Sequence, residues 1–183
     1  TVTTVSSNSA TEGSTIVHTV TLSGATSGST NFAASLAGVT ATGGGTDFTS
    51  DLASATYSNG VTFSGGNMVV PDAVSGWTVT ISTTSDTLDE ANETATLTVG
   101  GTAGTLTITD DDAQPTVTIS DATEVAGTVT FVATLSAASG RSLSFDYATA
   151  DGTKTAGVDY TAASGTVTFA AGETTKDIVI TAL

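Results

Sequence analysis

The chain has no cysteine, which excludes a disulfide framework and every thiolate metal site. That absence leaves the compartment open, because a secreted chain can be stabilised by bound metal instead. Basic residues are almost as scarce: three Lys and Arg stand against 18 Asp and Glu, for a formal net charge of −15. The three are Arg141, Lys154 and Lys176, so residues 1 to 112 carry no Lys or Arg at all. A surface of that sign excludes nucleic acid as a partner and direct contact with an anionic membrane. His18 is the only histidine. Without cysteine or a second histidine, the usual nucleophile–base pairs and zinc sites lack their parts, and no enzyme activity is expected. No stretch resembles a signal peptide or a membrane span, and none repeats its apolar residues every 3.6 positions, so essentially no helix is expected.

What is present is Gly, Ser, Thr, Ala and Val, with two prolines and only 5% aromatic residues. Thr and Val between closely spaced turn residues make a β-sandwich composition. Strands are expected at Val2 to Ser6, Thr15 to Ser23, Asn31 to Leu36, Tyr57 to Phe63, Met68 to Val70, Trp77 to Ser82, Thr94 to Val99 and Thr105 to Thr109. Ser64-Gly65-Gly66-Asn67 reads as a hairpin turn, Ala10 to Gly13 as a turn, and Ser85 to Glu93 as an acidic loop. His18 stands in line with Ile16, Val20 and Leu22, which marks it as a sheet or core residue rather than a catalytic base.

The stretch that organises the chain is Asp110-Asp111-Asp112, set between one strand and the start of another at Pro115. Three successive carboxylates repel one another and resist burial without a compensating charge. All-oxygen donors favour a hard cation, calcium before magnesium. After the triplet the pattern restarts. Ala122-Thr123-Glu124 repeats Ala10-Thr11-Glu12, Gly157-Val158-Asp159-Tyr160 repeats Gly45-Thr46-Asp47-Phe48, and Lys176 to Ile180 matches Trp77 to Ile81. Two domains follow, 1–112 and 113–183. The second copy has no counterpart of the acidic loop and the closing hairpin, so it is expected to lack its last two strands. It would then be capped by strand exchange, by another chain or by further residues. The Thr/Val run at the start reads as the interior of something longer.

Asp151 to Tyr160 followed by Gly165-Thr-Val-Thr-Phe-Ala-Ala-Gly-Glu173 resembles the Calx-β domain, a family named for sodium–calcium exchangers and repeated in large bacterial surface proteins. In the first half, Asp86 to Thr94 and Gly104 to Asp112 resemble the same family's closing segment. Ser64 to Pro71 is more similar to the tandem extender repeats of calcium-dependent, RTX-type bacterial adhesins. The resemblance implies an all-β fold of tandem antiparallel immunoglobulin-like sandwiches. It implies Ca2+ as the cofactor, with Glu12, Asp47, Asp86, Glu90, Asp110, Asp111 and Asp112 as metal ligands gathered at one pole. Asp89 stands where an apolar residue is usual. In the second half only Glu124 and Asp159 match the ligand pattern, with Asp121 and Asp151 as weaker candidates.

The function implied is mechanical: a calcium-rigidified stalk segment of an extracellular bacterial adhesin, whose partners are the neighbouring tandem domains of the same protein. The alternatives are a glycan- or protein-binding module and a calcium-sensing regulatory domain. Carboxylate pairs such as Asp86 and Glu90 could in principle serve glycoside chemistry. A carboxylate-rich pole without aromatic platforms suits a metal cluster better, and Trp77 and Tyr57 read as core or sheet-face residues.

Overall fold

The computed structural model describes residues 1–183 and is all-β, with a single short 3-10 turn at Leu52–Ser54. The chain divides into two compact units: Thr1–Thr87 with Asn92–Asp111, and Leu88–Ala91 with Asp112–Leu183.

The first unit is a sandwich of two sheets. Its strands are β1 (Val2–Val5), β2 (Asn8–Thr11), β3 (Thr15–Leu22), β4 (Thr30–Gly38), β5 (Thr56–Tyr57), β6 (Thr62–Ser64), β7 (Asn67–Val70), β8 (Gly76–Ser82), β9 (Glu93–Val99) and β10 (Thr102–Thr109). One sheet runs β1-β3-β8-β5 and the other β2-β10-β9-β4-β7-β6. Strict alternation produces the buried face: in β3 every second residue, Ile16, His18, Val20 and Leu22, points inward. The core between the sheets centres on Trp77, Phe48, Met68, Leu97 and Leu106, and Phe32 packs against Trp77 with ring centroids 5.9 Å apart.

Three local features depart from the sequence expectation. The stretch Tyr57 to Phe63 is two strands in different sheets, because Asn59 and Gly60 both take positive φ and turn the chain between them. Ala10 and Thr11 belong to a strand rather than a turn, since β2 pairs in parallel with β10, Asn8 opposite Leu106 through Thr11 opposite Thr109. The closing hairpin is tighter than expected, with Val99 paired to Thr102 around Gly100-Gly101. Gly104 therefore lies inside β10, where a Cβ would come within 2.5 Å of the Ser6 carbonyl oxygen. The Gly65-Gly66 hairpin forms as expected, joining Ser64 to Asn67.

His18 is fully buried and donates from Nδ1 to the Ser6 carbonyl at 2.5 Å. Burial pushes its pKa below 6.5, with the Ser6 bond opposing. The unfolded chain therefore takes up a proton as pH falls through 6.5 while the folded chain resists it, so stability drops over that window. In saturating calcium, the urea midpoint of the parent should fall between pH 7.5 and 5.5, and His18→Leu should flatten that dependence. An equally steep slope in the variant places the titrating group elsewhere.

The second unit contains β11 (Val117–Ile119), β12 (Glu124–Val125), β13 (Thr128–Leu135), β14 (Leu143–Ala148), β15 (Ser164–Phe169) and β16 (Thr175–Thr181). β13 pairs with β11, β12 and β16, while β14 and β15 form a sheet of two strands. The β12–β13 connection is a two-residue turn with Ala126 and Gly127 both at positive φ. In this core Leu135 and Phe169 are buried, whereas Phe131, Phe145 and Val167 are only partly covered. The reason is the narrow second sheet, which leaves a cavity of about 660 Å³ lined by Ile119, Val129, Phe131, Tyr147, Ile178 and Ile180 among others.

Candidate metal centre

Strand direction alone gathers the first unit's acidic residues. β2 and β10 are parallel and end at Thr11 and Thr109, and β9 runs antiparallel to β10 and begins there with Glu93 opposite Ile108. β4 is antiparallel to β9 and ends at the same pole, and β3 starts where β8 finishes, Thr15 opposite Ser82. The residues just past these ends are Glu12, Asp110, the loop carrying Asp47 and the loop carrying Asp86.

Two pairs result. Carboxylate oxygens of Glu12 and Asp110 lie within 4.8 Å of each other, as do those of Asp47 and Glu93. The first pair follows from the parallel ladder, which the Glu12 amide extends by donating to the Thr109 carbonyl at 3.1 Å. Asn92 Oδ1 accepts from the Asp110 amide at 3.3 Å and holds the start of the triplet. Asp47 is placed by its own loop: its carboxylate accepts from the Thr42 amide, its amide donates to the Thr42 carbonyl, and its carbonyl accepts from Thr84. The adjoining Phe48 is buried and bridges to Thr83.

Unit charges of one sign about 5 Å apart repel by roughly 3 kcal/mol at an effective dielectric constant of about 20. Residues 1 to 112 contain no Lys or Arg to offset this repulsion. Asp110 Oδ1 is moreover a buried oxygen with no hydrogen-bond donor. Orphaned, dehydrated carboxylate oxygens are the donor set a hard, oxygen-seeking cation takes. Ca2+ is the cofactor that fits.

Of the other expected ligands, Glu90 and Asp112 belong to the second unit, three residues before Glu93 and two after Asp110 in sequence. Asp86 and Asp111 are exposed and stand outside both pairs. Glu93 was not expected as a ligand. Counting the hairpin register back from Gly100-Gly101 would have found it, since it falls opposite Ile108, two residues from Asp110. Asp89 is no solvated loop carboxylate: it is buried and paired with Arg141. That guanidinium, followed in effect by the Ser139 hydroxyl, holds its pKa below the ordinary carboxylate range against the cost of burial.

The second unit's equivalent positions are chemically different. Asp159 accepts from Lys154 Nζ and from the Thr155 amide, both at 2.9 Å. The Thr155 bond first and Lys154 second hold its pKa low. An ammonium thus sits where the first unit offers none. Asp151 is engaged within its loop, accepting from Tyr160 Oη and the Ala156 amide at 2.8 Å.

A two-layer β-sandwich whose strand ends collect carboxylates is the class defined by these features. Residues 110–183, which include the Asp triplet and all of the second unit beyond it, match the model of the Calx-beta domain family. No curated protein matches the chain. Among solved structures, the chain is similar to the crystal structure of CBD12 from CALX1.2, at 19% identity and a TM-score of 0.45, covering 97% of this chain and 72% of that one. It is also similar to the calcium binding domain CBD12 of CALX1.1, at 20% identity and a TM-score of 0.46, covering 94% and 71%.

Proposed function

We propose that the chain is a calcium-rigidified stalk segment of a large bacterial surface adhesin, without enzymatic activity. It works outside the cell between neighbouring tandem domains and holds a distal ligand-binding region away from the surface. The observation that carries this reading is the pole of the first unit. There, strand topology brings Glu12 to Asp110 and Asp47 to Glu93 in a half-chain with no Lys or Arg. Asp112 and Glu90, close in sequence to those pairs, complete the ligand set, and Asp86 and Asp111 serve as outer acceptors. Together they supply the six to eight oxygens that Ca2+ takes at about 2.3–2.6 Å. Bound calcium neutralises the carboxylates and turns a repulsive junction into a stiff one.

The second unit's narrow β14–β15 sheet leaves one edge of β14 unpaired, and strand addition from another chain or from further residues of the protein is its natural cover.

The test is anomalous scattering from crystals grown with calcium. Peaks beside Asp110 and beside Glu93 support the assignment, and none at either place removes it. The family match over 110–183 favours one other reading, a calcium-sensing regulatory domain. Calcium titration followed by solution scattering separates the two: a stalk narrows its distribution of shapes, whereas a sensor moves to a different mean shape.

A further inference from the structure

The segment Leu88–Ala91 packs within the second unit, and what holds it there is the run Ser139-Gly140-Arg141. Asp89 is 2% exposed, and its carboxylate accepts three bonds. Arg141 Nη2 donates to Oδ1 at 2.6 Å, Arg141 Nε to Oδ2 at 3.1 Å, and Ser139 Oγ to Oδ2 at 2.8 Å. The Asp89 carbonyl accepts from the Gly140 amide at 2.9 Å and shares the single Ser139 Oγ proton at 3.0 Å. A planar guanidinium fork on a buried carboxylate fixes both position and orientation.

The residue next to this anchor is Glu90, and its side chain lies flat against Gly140. A Cβ on Gly140 would come within 2.7 Å of Glu90 Cγ and 2.5 Å of Oε1. Gly140 is not among the glycines at positive φ, so what the position demands is space and not an unusual torsion. The hydrogen bonds fix Asp89, and the missing methyl of Gly140 leaves room for the Glu90 side chain beside it, so together they set the direction of the Glu90 carboxylate.

We propose that Ser139, Gly140 and Arg141 form a positioning socket for Glu90, setting calcium affinity without themselves touching the ion. This rests on the reading of Glu90 as a calcium ligand. Arg141 is a positioning residue, and the sign of its effect is diagnostic. Through space, a guanidinium near a carboxylate site repels Ca2+, so its removal should tighten binding. As a positioning residue its removal should loosen binding, because the unpaired Asp89 moves toward water and takes Glu90 with it.

The experiment is calorimetric titration of the full, metal-stripped chain with calcium, with the calcium-free melting temperature measured alongside. Arg141→Ala should weaken affinity roughly 10–100-fold, the range found when groups that orient metal ligands are removed. Arg141→Lys, which keeps the charge but not the fork, should recover only part of that. Gly140→Ala changes no charge and should also weaken binding. A parent chain that binds no calcium overturns the ligand reading and the socket with it. A parent that binds while Arg141→Ala and Gly140→Ala bind as tightly, or tighter, overturns the socket alone. Should Arg141→Ala fail to fold, Gly140→Ala decides: parental affinity there refutes the proposal.

Discussion

Chelating calcium should lower the melting temperature of the full chain by on the order of 10 °C or more for each site emptied. An ion that binds only the folded state adds RT ln(1 + [L]/Kd), about 2.7 kcal/mol at a hundredfold excess over Kd. In a unit of about 100 residues each kcal/mol moves the melting temperature by roughly 4–8 °C. The direction follows from the pole: emptied of its ion, it keeps Glu12 beside Asp110 and Asp47 beside Glu93, with no Lys or Arg in the first half to relieve them. Magnesium should restore little, because it demands a tight octahedron and gives up its waters reluctantly. Replacing Asp110 and Asp112 by Asn keeps shape and removes two charges, and this variant should lose most of the calcium response with its strand spectrum unchanged. The same calcium-induced gain in variant and parent would move the site away from the triplet.

Residues 113–183 expressed alone should not melt cooperatively and should bind a hydrophobic dye strongly. The second unit buries six hydrophobic residues where the first buries 18, and its cavity of about 660 Å³ is lined by Phe131, Tyr147, Ile178 and Ile180. Small domains are marginal even with a closed core. This fragment also presents one unpaired edge of β14 and loses Asp89, the buried partner of Arg141. Its expected state is a collapsed ensemble with strand content but no fixed packing. A sharp, monomeric thermal transition with no dye binding would show that the cavity walls close on themselves and that nothing need be added.

Much of the fold was legible because its signals are local. The alternation in Thr15 to Leu22 named the buried face of β3 residue by residue, including His18. Gly65-Gly66 named its own hairpin. The Asn59-Gly60 turn was equally available, and the β-rich run around it concealed it. β2 was not legible, since Asn8 to Thr11 is a strand only because β10, almost a hundred residues later, lies beside it. The site divides in the same way. Asp110 and Glu12 could be named from the repeat and the family resemblance, and Glu93 needed the hairpin register to be counted out. The burial of Asp89 had one cue, the apolar residue usual at its position, but its partner was beyond sequence reasoning of this kind. An acidic residue in an acidic loop reads as solvated, and what buries it is an arginine 52 residues further on.

The parallel pairing of β2 with β10 bears on how the first unit would carry load in the proposed role. Tension applied through its two ends draws β2 toward its start and β10 toward its end, so the strands are pulled lengthwise past each other. The rungs from Asn8–Leu106 to Thr11–Thr109 then take the strain together, where a hairpin pulled open from one end would surrender them singly. Glu12 and Asp110 are the residues immediately beyond the last rung. A divalent ion gripping both would act as a rivet at the end of the seam, placed where sliding begins.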